Sequence, residues 1–233
     1  METIEVKGVS QSYADSNGNS FVALNNISFR WHTGESIAVM GESGSGKSTL
    51  ARIVIGLEKP TTGAVYIDGE DVRSWKRHKW REKRTQLQAV FQDATGTLSP
   101  GRSVLQNAEE ALCNLTTLSK AQRRERVMSL MEQMELKPEI IKTPVSRLSG
   151  GEQRRLGLVR SLAIEPRFLV LDEITAGLDL ISAEAVLRVL QKYQRTHDCS
   201  YLLITHDEST AARLCSKLFE IERGQIIHES VRE

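Results

Sequence analysis

Gly41-Glu42-Ser43-Gly44-Ser45-Gly46-Lys47-Ser48, with Thr49 directly behind it, fits the spacing G-x-x-x-x-G-K-[ST]. The chemistry explains the spacing. Successive main-chain amides must turn inward around a phosphate, and glycines permit both the backbone angles and the close approach. Ahead of the run, Ser36 to Met40 is short and apolar and reads as a strand. Behind it, Ser48 to Gly56 has helical character and stops at a glycine. The loop then ends at a helix N-terminus, where unpaired N–H groups and the dipole favour an anion. Gly41 through Thr49 are therefore candidate nucleotide-phosphate contacts. Lys47 is placed to reach the outer phosphates and Ser48 to ligate Mg²⁺ through its hydroxyl. The motif alone leaves kinases, GTPases and motor ATPases open.

A second stretch narrows the chemistry. Phe168-Leu169-Val170-Leu171-Asp172-Glu173 is four apolar residues ending in two carboxylates. A buried parallel strand would carry both acids to the C-terminal edge of a sheet, where ligands of such sheets bind. There Asp172 would hold Mg²⁺ directly or through water, and Glu173 would polarise the attacking water as a general base. Taken without the phosphate loop, the same pair could be a helix N-cap.

Around these two anchors the chain alternates. Ile4, Val6 and Val9, then Phe21 to Arg30, read as strands on either side of a polar turn at Asp15 to Ser20. Further strands are predicted at Ala64 to Asp68, Leu87 to Phe91, Tyr201 to Thr205 and around Phe219 and Ile226. Helices are predicted to about Ile164, from Leu180 to Arg195, and near Glu208 to Cys215. This rhythm implies a mainly parallel sheet with helices on both faces. From Ser103 to Leu136 the pattern turns helical and polar, with Leu105, Leu112, Val127, Leu130, Met131 and Met134 as core positions. Arg123, Arg124 and Arg126 there read as a solvated face rather than a nucleic-acid patch.

The composition excludes several classes. In 233 residues, 31 Lys and Arg oppose 30 Asp and Glu, for a net charge of +1. Bulk electrostatics therefore point to no nucleic acid or lipid surface. Cys113, Cys199 and Cys215 are scattered and form no CxxC pair, as suits buried thiols in a reducing compartment. There is no signal pattern at Met1 to Gly8 and no apolar run of the roughly 18 residues a membrane span needs. A membrane role must be borrowed from another polypeptide.

Leu148-Ser149-Gly150-Gly151-Glu152-Gln153, lying between the phosphate loop and the Asp172-Glu173 strand, resembles the signature of ABC ATPases. Other elements of that family follow in order over essentially the whole chain. Gln92 in Val90-Phe91-Gln92-Asp93 resembles the Q-loop, and Asp179 in Ala176-Gly177-Leu178-Asp179 the D-loop. His206 in Ile204-Thr205-His206-Asp207 resembles the switch histidine, and Tyr13 is placed like the aromatic that stacks on adenine. The resemblance implies an α/β fold. Its P-loop NTPase core (about 1–92 and 165–233) would have a mainly parallel sheet, an N-terminal antiparallel β subdomain and a helical subdomain insert (about 93–164).

The resemblance also implies a mechanism shared by two chains. Two ATPase subunits, as a homodimer or a heterodimer, would pair head to tail. ATP bound to Gly41 through Thr49 of one would meet Ser149, Gly150, Gly151 and Glu152 of the other. Gln92 would sense Mg²⁺ and the attacking water, completing a metal set of Ser48, Gln92 and Asp172. His206 would bond the γ-phosphate and Asp179 would brace the dimer. Read locally, Ser149 is a helix N-cap with an acid nearby, Asp179 a helix N-cap, His206 a structural histidine, Gln92 a surface residue and Tyr13 a core tyrosine.

Finer similarity, including Leu98-Ser99-Pro100, runs to the peptide- and nickel-importer branch and most to the nickel-type subunit. Ile174 departs from its common Pro, Gly177 from Ala and Ser99 from Asn, and the peptide importers' C-terminal extension is missing. The implied partners are transmembrane permease subunits and a substrate-binding protein, with no nucleic acid. The implied place is the cytoplasm, peripheral on the inner face of the cell membrane. A non-transport ABC ATPase, or a nucleotide-gated regulatory subunit with little hydrolysis, is the alternative.

Overall fold

The structure, a computed structural model, describes residues 1–14, 20–91 and 97–231. Along the chain come strands β1 (Thr3–Ala14), β2 (Ser20–His32) and β3 (Ile37–Met40), then helix α1 (Lys47–Val54). Strands β4 (Thr62–Ile67) and β5 (Glu70–Asp71), helix α2 (Arg77–Lys83) and strand β6 (Leu87–Val90) follow. Four helices come next: α3 (Val104–Ala108), α4 (Glu110–Leu115), α5 (Lys120–Gln133) and α6 (Gly150–Leu162). The chain then runs through β7 (Phe168–Asp172), α7 (Leu180–His197), β8 (Ser200–Ile204), α8 (Glu208–Leu214), β9 (Lys217–Glu222) and β10 (Gln225–Val231).

Two sheets form. One is antiparallel, in the order β2-β1-β4-β5; the other runs β10-β9-β3-β8-β7-β6. In the second, β9, β3, β8, β7 and β6 pair in parallel, and only β10 turns back on β9. The predicted architecture is present: a mainly parallel sheet, an antiparallel sheet from the N-terminal strands, and a helical stretch between β6 and β7.

The central strands β7 and β8 are buried along their whole length, so alternation of polar and apolar residues cannot mark their faces. Alternation of partners does. Phe168, Val170, Leu202 and Ile204 enter the cluster that holds the antiparallel sheet and α1. Leu169, Leu171, Tyr201 and Leu203 enter the one that holds the helical stretch and α7. The parallel sheet is thus covered on both faces, as its continuous apolar runs require. Two buried tyrosines fasten the second layer: Tyr201 donates to the Leu190 carbonyl at 2.8 Å and Tyr193 to that of Leu162 at 3.0 Å. Both hydroxyls are satisfied where they sit, so neither carries an unpaired polar cost.

The structure departs from the sequence reading in a few places. Helix α2 has no buried residue. Only Trp80 gives it an apolar anchor, packed edge-on to Trp75 at 5.1 Å with Arg84 over its ring. A single tryptophan sets no period. Of the expected core positions in the helical stretch, Leu105 is only half-buried, while its neighbour Val104 is fully enclosed. The thiols divide: Cys199 and Cys215 are buried, but Cys113 is exposed. Burial pushes the Cys199 thiol far above its usual range, which makes it an inert core group.

A candidate nucleotide site at the parallel strand ends

The loop between β3 and α1 approaches backbone from two sides. A Cβ at Gly41 would lie 2.1 Å from the Ile221 carbonyl oxygen, and one at Gly46 2.2 Å from that of Ala23. Both glycines also hold positive φ, 148° and 105°. No other residue meets both demands. Lys47 folds over the loop it follows: its Nζ donates to the carbonyls of Gly41 (2.8 Å) and Glu42 (2.6 Å) and to Ser45 Oγ (3.3 Å). Burial holds this ammonium below its usual range, while Glu173 and Asp172 push it back up.

The acidic pair stands opposite. Asp172 closes β7 and is buried; Glu173 follows with φ 50° and its amide bonded to the Ile204 carbonyl at 3.0 Å. This left-handed residue ends the strand and swings its side chain into the cleft. No helix starts here, which removes the N-cap reading: the turn after Glu173 runs to Asp179 before α7 begins. His206, at the end of β8, places Nδ1 3.0–3.1 Å from the Glu173 carboxylate. That hydrogen bond, then the charge behind it, raises His206 above its ordinary range. Desolvation raises Asp172 as well, against a hydrogen bond from Ser48 and with a further push from Glu173.

These groups line one cleft of about 550 Å³, with Gly41, Ser43, Gly44, Gly46, Lys47, Ser48 and Thr49 at its floor. Asp172, Glu173 and His206 form one wall, and Tyr13 and Phe21 stand at the far end with ring centroids 5.5 Å apart. Glu42 and Ser45 belong to the loop but do not line the cleft; their part is to accept from Lys47. The sequence reading missed Phe21, Ala23, Arg52, Ala176 and Ile204, which also line it. Phe21 had one usable signal, an aromatic at the end of a polar turn, and it is 59% exposed. Gln92 lies outside the described residues.

The signature lies elsewhere. Ser149 caps α6 in a reciprocal box with Glu152: each accepts the other's amide, and the Ser149 hydroxyl also donates to the Glu152 carboxylate at 2.8 Å. Those bonds hold Glu152 below the usual carboxylate range. Ser149 and Gly150 are exposed, and none of the four signature residues lines the cleft of its own chain. Asp179 caps α7 through Ser182 at 3.0 Å, with Leu180 and Ile181 89% and 74% exposed beside it.

The profile of the family described as "ABC transporter" matches residues 24–176, from β2 through the acidic pair to the turn beyond it. The chain belongs to the ABC transporter family. This ABC ATPase is 34% identical to the nickel import ATP-binding protein NikE of Escherichia coli K12, over 99% of this chain and 88% of that one. It is 38% identical to NikE of Pseudomonas putida KT2440, over 88% and 76%. Its fold superimposes on a dimeric ATP-binding cassette, MJ0796, in a post-hydrolysis state with ADP and phosphate, with a TM-score of 0.91, 28% identity and 99% coverage of both chains. It also matches cbiO1 of Clostridium perfringens, part of the transporter complex cbiONQ, with a TM-score of 0.80 and 27% identity over 99% of this chain and 89% of that one. Among the described residues no helix is long and apolar enough to cross a membrane.

The cleft also fits a divalent cation. Asp172 Oδ1 is buried with no hydrogen-bond partner, a cost that a cation would remove. Ser48 sits in bonding contact with the same carboxyl group. Among the described residues no cluster of three His, Cys, Asp or Glu could hold a metal unaided. A short oxygen set completed by substrate phosphates and water is the arrangement Mg²⁺ favours.

Proposed function

We propose that this ABC ATPase energises an importer, for nickel or other metal chelates or for peptides. It would act on the inner face of the cell membrane beside permease subunits, a second ATPase chain and a substrate-binding protein. The observation that carries its chemistry is the convergence of Lys47, Asp172, Glu173 and His206 on one cleft, drawn from three separate strand ends. The names of the NikE relatives support the cargo class, and the cbiONQ membership of cbiO1 supports partnership within a transporter complex.

Each residue then has a task. The amides of Gly41 through Thr49 and the Lys47 ammonium hold the phosphate chain of ATP. Ser48 and Asp172, joined by Gln92, hold Mg²⁺, which neutralises charge on the outer phosphates when bound. Glu173 orients water and takes its proton. His206 spends Nδ1 on Glu173, which leaves Nε2 to meet the γ-phosphate. Ser149, Gly150 and Gly151 present a helix N-terminus to ATP on a second chain. Asp179 braces that pairing, and the helical stretch from α3 to α6 relays it. Glu173→Gln should cut Mg²⁺-dependent ATP hydrolysis by about 10²–10⁴-fold, the range that general base catalysis supplies. Undiminished turnover would remove Glu173 from its role.

A further inference from the structure

Behind Tyr13, outside the lining of the cleft, stands an acidic residue with no part in the reading above. Helix α1 is followed by a tight reversal in which the amides of Leu57 and Glu58 both donate to the Arg52 carbonyl, at 2.9 and 3.2 Å. This reversal lays Glu58 against β1. Its Oε1 accepts the Tyr13 hydroxyl, which also lies 3.4 Å from Thr49 Oγ1, and the Gln11 side-chain amide at 3.0 Å. Its Oε2 accepts Arg52 Nε at 3.3 Å. Gln11, itself buried, is fixed in turn, because its Oε1 accepts the Thr61 amide at 2.9 Å.

Tyr13 sits near the end of β1 and lines the cleft. A ring at such a place would turn about two side-chain torsions unless something held its far end. Glu58 does so, and the carboxylate is held from two further sides. A platform fixed before the base arrives loses little freedom when the base stacks on it.

We propose that Glu58 is the positioning residue of the base platform: it orients Tyr13 for a purine base without touching the nucleotide. This rests on the reading of Tyr13 as the adenine-stacking ring. The same carboxylate anchors Arg52, whose Nη2 donates to Thr49 Oγ1 at 3.3 Å. Glu58 thus has a second route, to the phosphate end, and the test must separate the two.

The test measures binding of ATP and of inorganic tripolyphosphate, which lacks a base, to the full chain. Glu58→Ala should weaken ATP by about threefold to tenfold, the cost of immobilising one free side chain, and leave tripolyphosphate unchanged. Tyr13→Phe, which keeps the ring and removes only the hydroxyl, should show the same selective loss. Combining it with Glu58→Ala should add little. Glu58→Gln, which keeps an acceptor oxygen for Tyr13, should recover most of the loss. Tyr13→Phe and Glu58→Gln carry the test should Glu58→Ala not fold. Equal weakening of both ligands by Glu58→Ala would overturn the proposal in favour of the Arg52 route. Additive losses in the double variant would overturn it too. If Tyr13→Ala leaves ATP affinity intact, the stacking role of Tyr13 falls and the proposal with it. If Tyr13→Ala weakens ATP but Glu58→Ala and Tyr13→Phe do not, only the role of Glu58 falls.

Discussion

At the scale of single residues, the site is a set of charges held out of their solution states. Asp172 is raised by desolvation, so the folded chain binds a proton more readily there than the unfolded chain does. The sign follows: above its folded-state pKa the buried carboxylate costs stability, and the cost is relieved as pH falls through that value. Asp172→Asn should therefore raise the thermal midpoint of the nucleotide-free protein, by about 2–4 °C for each kcal/mol recovered. It should also abolish Mg²⁺-dependent hydrolysis. Calorimetry and a phosphate-release assay on the same sample check both halves. His206 has a linkage of the same sign, arising from a favourable contact rather than from a burial cost. Its contact with Glu173 favours the imidazolium, so that contribution is present at low pH and fades as pH rises through the raised folded-state value. In Glu173→Gln the His206 titration followed by NMR should move down toward the ordinary histidine range. An unmoved midpoint would mean the Glu173 contact does not set it.

At the scale of elements, glycines and caps decide what each segment can do. Gly41 and Gly46 are required by the fold of the loop, because a Cβ at either would strike backbone. Gly150 is different: a Cβ there meets nothing within 4 Å, and the residue opens α6 with ordinary helical geometry. Gly150→Ala keeps the main-chain N–H but adds a methyl where the phosphate of the second chain must approach. It should leave the folded chain and its own ATP affinity intact while lowering turnover by about tenfold or more, the effect of displacing the reacting group. Tryptophan fluorescence, nucleotide titration and steady-state rates separate these outcomes. Ser149→Ala removes half of a capping box and should cost about 1 kcal/mol of stability, measured by chemical denaturation. The box was legible in Ser149 and Glu152 at their spacing of three. Helix α2 was not, because a helix of charged residues with one tryptophan leaves no periodic trace.

At the scale of the whole molecule, the signature does not line the cleft of its own chain, and the proposed function has a second chain bring the two together. A mixing experiment tests this. Lys47→Ala lacks a working phosphate loop and Ser149→Arg lacks a working signature, so each alone should be inactive. Mixed in equal amounts, half of a two-fold dimer population is heteromeric, and each heterodimer holds one intact composite site. Turnover should recover to about a quarter of wild type. No recovery would place the whole site within one chain. The sequence by itself determined the phosphate loop, the acidic strand end, the signature and the order of elements, because each depends on neighbours in the chain. Glycine spacing, strand burial and helix caps are local properties. Tertiary structure decided what local properties cannot reach: that the Glu173 carboxylate bonds His206, that Phe21 faces Tyr13, and that Glu58 holds the tyrosine's far end. Strand pairing sets the first two, β7 beside β8 and β1 beside β2, and the third needs the turn after α1 laid against β1; none of these pairings is written in a local stretch of sequence.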